Sequence, residues 1–198
     1  RKREGRYASH TGAITEVKQY TSSGTHLTYT IDWDERGNIK TLTSPTGKKV
    51  RYRYQDGIYP VKITEEGSTG GTPYESTLLW DSALGVKLEE TDSAGNTMKY
   101  RYDGFGRVTE VKSPYDDPAG TPCAKYEYHT PSSSFWYTVT ANKLTTEATD
   151  TAVMKTVVMH DGLGRALYTA KEGEVYREGT AGETNVGWNI SGATYYDE

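Results

Sequence analysis

A short repeated pattern governs what this chain can fold into: Tyr-x-Tyr-Asp, two further residues, then Gly and Arg. The best copy covers residues 100–107, a second covers 160–165, and a third covers 33–38 with Asn in place of Arg. Successive turn positions lie 21 to 26 residues apart along the first part of the chain. A period of this length indicates a repeat architecture, in which each unit buries its apolar side against its neighbours.

Large and charged residues alternate in the segment that precedes each Asp. Met98, Tyr100 and Tyr102 alternate with Lys99 and Arg101, the period of two expected of a strand with one covered face and one wet face. The Asp that follows can accept hydrogen bonds from backbone N–H groups two residues on, and the later Gly can adopt a positive φ. Each copy of the pattern therefore predicts a β-hairpin.

Aromatic residues supply most of the apolar surface of this chain. It has 17 Tyr and 4 Trp in 198 residues, and such side chains suit a half-buried, pleated surface. We therefore predict an all-β fold of consecutive antiparallel hairpins in a continuous sheet. We assign residues 1–198 to a single repeat segment of a larger protein, with irregular insertions at about 113–124 and 172–187. We find no convincing helix pattern, and 146–155 is the only stretch in which a short helix would fit. Residues 135–143 predict a hairpin of different composition.

The repeat also predicts a structural role for each of its positions. The aromatic residues cover the sheet, Asp and Gly set the turns, and Arg ties a turn to its neighbour through a carboxylate or an aromatic ring. The residues assigned to these roles are Trp33, Asp34, Gly37, Tyr52, Tyr54, Trp80, Asp81, Gly85, Tyr100, Tyr102, Asp103, Gly106, Arg107, Asp161, Gly164, Arg165, Tyr196 and Asp197.

Several classes of function are disfavoured by the composition. A net charge of −4 with mixed signs does not give the basic stripe of a nucleic-acid-binding protein. No apolar stretch approaches the roughly 20 residues of a membrane span. The chain has one Cys and four His without metal-ligand spacing, so we predict no disulfide, no metal site and no cofactor. Nothing assembles a nucleophile, a base and oxyanion donors, so we predict that the chain is not an enzyme.

The repeat resembles the YD repeat of RHS proteins. The copy at 161–165, together with Tyr196 and Asp197 near the end of the chain, is similar to bacterial insecticidal toxin complex B components and related secreted toxins. The resemblance implies a strip of a large curved β-sheet shell that encloses a toxin polypeptide. It implies a secreted or cell-surface bacterial protein whose partners are the neighbouring repeats of its parent chain and the enclosed polypeptide. An Asp-Pro pair at 117–118 is similar to the self-cleaving site of that family, but its flanking signature is absent and a turn is expected.

Two function hypotheses from different classes follow. The first is a non-enzymatic structural segment of an RHS-type shell. The alternative is a carbohydrate-binding or cell-adhesion module, in which exposed Tyr and Trp contact a cell-surface glycan. Because a strip of sheet has open edges, we also expect self-association through strand pairing.

Overall fold

The computed structural model describes residues 2–21, 24–130, 136–176 and 184–196. In these ranges the regular secondary structure consists of β-strands alone, and the prediction of an all-β fold of consecutive antiparallel hairpins is confirmed. Backbone contacts divide the chain into two compact units, residues 1–97 and 98–198. The assignment of the whole chain to a single repeat segment stays a prediction.

The first unit is an antiparallel sheet whose strand order is the sequence order. Within the unit each strand pairs with its neighbours in sequence, so the contacts of the sheet are between adjacent strands. Its strands are β1 (Arg3–Tyr7), β2 (Ile14–Tyr20), β3 (His26–Trp33), β4 (Ile39–Thr43), β5 (Lys49–Gln55), β6 (Tyr59–Glu66), β7 (Tyr74–Asp81) and β8 (Val86–Thr91).

The second unit follows the same rule, again with antiparallel neighbours in sequence order. Its first strand begins one residue before the boundary between the units. The strands are β9 (Thr97–Tyr102), β10 (Val108–Lys112), β11 (Ala124–His129), β12 (Trp136–Lys143), β13 (Val153–His160), β14 (Ala166–Tyr176) and β15 (Thr184–Ser191).

Residues in both units are mostly half-buried or exposed on the faces of the sheets. Among the residues for which burial is described, Ala170 and Thr41 are the two that are buried when backbone and side chain are taken together, at 8% and 7% exposure. No side chain in this set is completely buried. Aromatic rings with a polar tip suit such an environment, because one end of the ring packs while the other reaches a hydrogen-bonding partner.

The glycine-rich region at 172–187 differs from the loop that the sequence predicts. β14 continues to Tyr176 and β15 begins at Thr184, so the two strands occupy most of the expected loop, and residues 177–183 lie outside the described part. Gly173 pairs with Gly187 across this hairpin. A Cβ atom on Gly173 would lie 3.0 Å from the Asn189 side chain. Glycine at this position therefore accommodates a close cross-strand neighbour and does not mark a turn.

A further expectation, the hairpin at 135–143, is wrong. Residues 136–143 form the single strand β12, and not a hairpin that turns at 141–143; Ala141 and Asn142 pair with β11 and β13 on either side. Residue 135 lies outside the described ranges. The stretch 146–155 contains turns followed by the start of β13 at Val153, and no helix. Pairing of β12 with β11 and β13 accounts for the strand at 136–143, because a ladder on each side easily overrides a local turn preference.

The insertion at 113–124 is an ordered connection between β10 and β11. Its centre is an ion pair between Asp116 and Lys143 of β12, at 3.2 Å, in which both side chains are only 2% exposed. The second carboxylate oxygen of Asp116 accepts the backbone N–H groups of Ser113 at 2.7 Å and Cys123 at 3.0 Å. Burial raises the pKa of Asp116, but the Ser113 and Lys143 hydrogen bonds outweigh it and the pKa lies below its ordinary value.

The same connection is held from its other side by Lys112. Its ammonium group donates to the backbone carbonyl oxygens of Asp117 at 3.3 Å, Pro118 at 2.6 Å and Gly120 at 3.0 Å. Asp117 and Pro118 thus belong to a turn whose carbonyl groups are oriented toward a cation supplied by the chain itself.

Removal of the Lys143 ammonium tests the importance of the buried pair. Lys143→Ala leaves the Asp116 carboxylate enclosed without its partner, so we expect the free energy of unfolding in urea to fall by about 3 kcal/mol. Lys125→Ala is the matched control, because Lys125 and Glu127 form an exposed pair at 50% and 48% exposure, worth under about 1 kcal/mol. Equal losses in the two variants would contradict this account.

Candidate functional site

The turn that begins with Asp103 shows the geometry of the repeated motif. One oxygen of the Asp103 carboxylate accepts the backbone N–H groups of Phe105 at 2.9 Å and Arg107 at 3.0 Å. The other oxygen accepts the Nε–H of Arg107 at 2.7 Å. Backbone bonds close the loop, from the N–H of Asp103 to Arg107 and from the N–H of Gly106 to Asp103. Gly106 has a φ of 76°, which a residue with a Cβ rarely adopts.

The turn that begins with Asp161 repeats this arrangement almost atom for atom. Its carboxylate accepts the N–H groups of Leu163 at 3.0 Å and Arg165 at 2.8 Å, and the Nε–H of Arg165 at 2.6 Å. Gly164 has a φ of 83°. Two turns separated by 58 positions in sequence numbering therefore have the same internal hydrogen bonds.

Two other copies vary this geometry. At Asp34 the Nδ2 group of Asn38 takes the place of the arginine Nε–H, at 3.0 Å from the carboxylate, and Gly37 has a φ of 84°. At Asp81, where the turn has one extra residue, the carboxylate accepts the N–H groups of Ala83 and Leu84, and the positive φ falls on Gly85. The Asp is thus the common element, since it satisfies backbone N–H groups in every copy.

A β-bulge follows each of these turns. In the β3–β4 hairpin Asp32 pairs with Thr41 and Trp33 with Ile39, so Lys40 has no partner of its own. The same one-residue shift occurs in five further hairpins, in which the extra residues are Thr15, Val61, Leu88, Thr109 and Leu167. A bulge interrupts the ladder and redirects the backbone groups beside it.

The aromatic residue of the next repeat bonds to a carbonyl group at this bulge. In five places an indole N–H or a phenol O–H donates to the carbonyl oxygen of the residue immediately before the extra one. The bonds run from Trp33 to Ile14 at 2.8 Å, Tyr54 to Ile39 at 3.1 Å, Trp80 to Pro60 at 2.8 Å, Tyr128 to Val108 at 3.0 Å and Tyr196 to Ala166 at 3.2 Å. We call this contact the aromatic cap.

Arginine adds a second contact between a turn and the following strand. The guanidinium carbon of Arg107 lies 4.3 Å from the ring centre of Tyr128, and that of Arg165 lies 4.1 Å from the ring centre of Tyr196. Each arginine therefore joins the Asp of its own turn to the capping Tyr of the next strand. Such a contact combines an ion pair with a cation–π interaction.

The remaining motif residues lie on the strands. Tyr52 stacks beside Tyr54 with ring centres 6.4 Å apart, and Tyr100 and Tyr102 lie on β9, where they pair with Val111 and Val108 of β10. Asp197 lies outside the described residues. Sequence reasoning missed Trp136, whose ring stacks on His160 at 4.2 Å and whose indole N–H donates to the Asp161 carbonyl at 2.8 Å.

The turn carboxylates are stabilised in their charged form. The Asn38 side-chain hydrogen bond, followed by its backbone N–H, lowers the pKa of Asp34. Burial raises the pKa of Asp103 and of Asp161, but the backbone and side-chain donors of Arg107 and Arg165 outweigh it, and both pKa values lie below the ordinary one. These carboxylates act as hydrogen-bond acceptors within the turns.

Other chemistry is sparse in the described residues. They contain no group of three or more His, Cys, Asp or Glu arranged to hold a metal ion, and no helix long and apolar enough to cross a membrane. Cys123 is a free thiol that donates to the Val111 carbonyl at 3.1 Å. Burial raises the pKa of this thiol, which is the opposite of the activation seen in nucleophilic cysteines.

Comparisons with known proteins agree with this geometry. Residues 88–122 match the sequence model of the RHS repeat family. A search of curated protein sequences finds no match to the chain. Among solved structures, the fold is similar to the TcdB2-TccC3 complex without its hypervariable C-terminal region, with a TM-score of 0.65 at 16% identity over 87% of this chain. It is similar to the TcdB2-TccC3-Cdc42 structure with a TM-score of 0.64 at 14% identity, again over 87% of this chain.

The chain spans 9% of the length of each of these two structures. The matched stretch 88–122 includes the Asp103 turn and the arginine that stacks on Tyr128. Residues 88–122 therefore match the RHS repeat, and the expected resemblance of this chain to RHS/YD-repeat proteins is confirmed in this stretch and in the fold shared with TcdB2-TccC3.

Proposed function

We propose that this chain is a non-enzymatic structural segment of an RHS/YD-repeat shell. The observation that carries the proposal is the aromatic cap, which recurs in five places and always bonds to the carbonyl before a bulge. Each cap joins one hairpin to the segment that follows it, which is a strand in four of the five places. A wall built in this way is stabilised by contacts between neighbours and requires no thick core.

The proposal extends to the parent protein. We propose that the wall belongs to a secreted or cell-surface bacterial protein that encloses or delivers a toxin polypeptide, with neighbouring repeats of the parent chain as its immediate partners. The RHS repeat at residues 88–122 and the fold likeness to TcdB2-TccC3 support this proposal.

The alternative of a carbohydrate-binding or adhesion module fits the motif aromatics less well. The polar tips of Trp33 and Trp80 donate to backbone carbonyl groups, so they are not available to the hydroxyl groups of a sugar. Their rings are neither among the strongly exposed side chains nor fully buried, as expected of rings that cover the face of a sheet.

Removal of one capping hydroxyl tests the role of the aromatic cap in stability. Tyr128→Phe keeps the ring under Arg107 but leaves the Val108 carbonyl without its donor, so we expect the free energy of unfolding to fall by about 1 kcal/mol. Tyr126→Phe is the matched control on the same face of β11, because the described structure shows no hydrogen bond to the Tyr126 hydroxyl. Chemical denaturation of both variants measures the difference, and equal losses would contradict a capping role.

The turn carboxylates predict a loss of stability in acid. The pKa of Asp103 is lower in the folded chain than its unfolded value of about 3.9, so its contribution is present above about pH 4 and is lost as pH falls through the folded value. Asp103→Asn should therefore be less stable than wild type near neutral pH, and the difference should shrink in acid. Urea denaturation between about pH 7 and pH 2 measures it. A difference that does not change with pH would contradict the prediction.

The structural proposal is tested by asking whether a destabilising substitution in one turn raises hydrogen exchange only in the neighbouring strands. Gly106→Ala places a Cβ at a φ of 76° and should cost about 1 to 2 kcal/mol. Gly104→Ala is the control, since a Cβ there meets nothing within 4 Å and the φ is not positive. If the sheet is stabilised by contacts between adjacent strands, hydrogen exchange should rise in β9, β10 and β11 of the Gly106→Ala variant and stay unchanged in β2 to β5.

An increase of hydrogen exchange throughout the Gly106→Ala variant would indicate a single cooperative globule and would count against the wall. Unchanged stability and exchange in this variant would contradict the role assigned to the turn.

A further inference from the structure

In the complete copies of the turn, the arginine side chain contacts two groups, a carboxylate and an aromatic ring. The Nε–H of Arg107 donates to the Asp103 carboxylate at 2.7 Å, and its guanidinium carbon lies 4.3 Å from the Tyr128 ring centre. The copy at 161–165 repeats both contacts, at 2.6 Å and 4.1 Å. A carboxylate at the edge of a planar cation and an aromatic ring against its face form a guanidinium site.

The copy at 34–38 has the carboxylate and the aromatic ring of this site but not the guanidinium. Asn38 donates from Nδ2 to the Asp34 carboxylate at 3.0 Å and to the Gly57 carbonyl at 2.9 Å, and the side chain ends there. An amide carries no charge, so the Asp34 carboxylate has a neutral partner where Asp103 and Asp161 have a cation.

The aromatic ring of this copy is held in the same way as in the complete copies. Tyr54 donates its hydroxyl to the Ile39 carbonyl at 3.1 Å, just as Tyr128 donates to Val108 at 3.0 Å. Within the described ranges, no guanidinium or ammonium group lies over the Tyr54 ring. The ring is therefore positioned to receive a planar cation and does not hold one.

The pKa values of Tyr54 and Tyr128 are shifted by different neighbours. Burial raises the pKa of Tyr54, and the neighbouring Tyr52 and the charge of Asp34 raise it further. Burial also raises the pKa of Tyr128, but there Arg107 acts in the opposite direction. The pKa of Tyr54 is thus raised by the Asp34 carboxylate with no cation acting against it, whereas the charge of Arg36 acts on the pKa of Asp34 itself.

An open groove of about 750 Å³ lies over this place. Trp33, Tyr52 and Tyr54 form its aromatic part. This volume admits an arginine side chain together with its peptide backbone. Exposed Glu35 and half-buried Asp34 line the groove as well, and their carboxylates are suited to the edge of a guanidinium group.

Cations also line the groove, and they limit how strongly it attracts a further one. The guanidinium of Arg36 is already engaged, since it donates to the Asp56 carbonyl oxygen. Lys40 and Arg53 lie on exposed positions of β4 and β5, where water screens their charge. The groove therefore selects its ligand by the stacked ring and the carboxylate of Asp34, and net charge contributes little.

We propose that the groove at Tyr54 and Asp34 binds a guanidinium group, such as the side chain of an arginine presented by another polypeptide segment. The ligand lies beyond the end of the Asn38 side chain, against the ring that corresponds to those on which Arg107 and Arg165 stack. Its planar cation stacks on the Tyr54 ring, and its N–H groups donate to the Asp34 carboxylate.

Titration of the 198-residue chain followed by NMR tests the proposal. The ligands are N-acetyl-arginine-N-methylamide, the citrulline analogue as a neutral isostere, the lysine analogue, and methylguanidine. We expect saturable shifts at the Asn38 amide and the Tyr54 ring with the arginine compound at up to about 10 mM, a range that covers weak ligands held by one stacked ring and one carboxylate. The citrulline compound should give no saturable shift.

Methylguanidine and the arginine compound also separate the sources of the guanidinium. Similar affinity for methylguanidine and for the arginine compound indicates a site for any small guanidine. Tighter binding of the arginine compound indicates that the groove also contacts the peptide backbone. Either result supports guanidinium recognition, whereas equal responses to arginine and citrulline, or no saturable shift with the arginine compound, would overturn it.

Two variants test the place of the ligand by giving the turn at 34–38 an arginine and by removing the arginine from the turn at 103–107. Asn38→Arg supplies the missing guanidinium from within, so it should abolish the response at Tyr54 while the hairpin spectrum is preserved. Arg107→Asn should create an equivalent empty place and bring a new response to the arginine compound at Tyr128. If Asn38→Arg still bound the arginine compound with unchanged affinity, the proposed place of the ligand would be wrong.

Discussion

A backbone carbonyl that is shielded from water must find a hydrogen-bond donor, and this requirement links the repeats of this chain, since four of the five caps are part-buried. Each bulge takes one residue out of the ladder, and the carbonyl group before it lies at this break. In five places that carbonyl accepts a bond from a Trp or Tyr of the following repeat. The aromatic residue is therefore a donor as well as an apolar cover, and this explains why Tyr and Trp stand where an aliphatic residue would pack equally well.

The sequence was sufficient to predict the class of fold and the internal chemistry of the turns. Alternating large and charged residues specify strands, and an Asp followed by Gly specifies a turn, because both signals are local. The Asp103 turn needs only residues 103–107 to form its hydrogen bonds. The same locality explains why the resemblance to the RHS repeat is clear from a few residues.

Features that join distant residues were not predicted from the sequence. The bulge residues Thr109 and Lys40 have no common side-chain chemistry; each lies three positions after the glycine of its turn, a spacing whose meaning appears only in the ladder. Asp116 and Lys143 are 27 positions apart and meet only because β10, β11 and β12 are neighbours. The strands at 172–187 were hidden by glycines such as Gly173, which pairs with Gly187 across the hairpin and does not mark a turn. In each case the deciding constraint is the ladder, whose register the local pattern does not contain.

Exchange of the tryptophan indole N–H groups with deuterated solvent, measured by NMR, tests the aromatic cap most directly. The account predicts that the N–H groups of Trp33 and Trp80 are protected, because they donate to the carbonyls of Ile14 and Pro60 at 2.8 Å. Trp188 is 48% exposed and should exchange rapidly, which provides an internal reference. Exchange of Trp33 and Trp80 as fast as that of Trp188 would contradict the claim that the caps join the repeats.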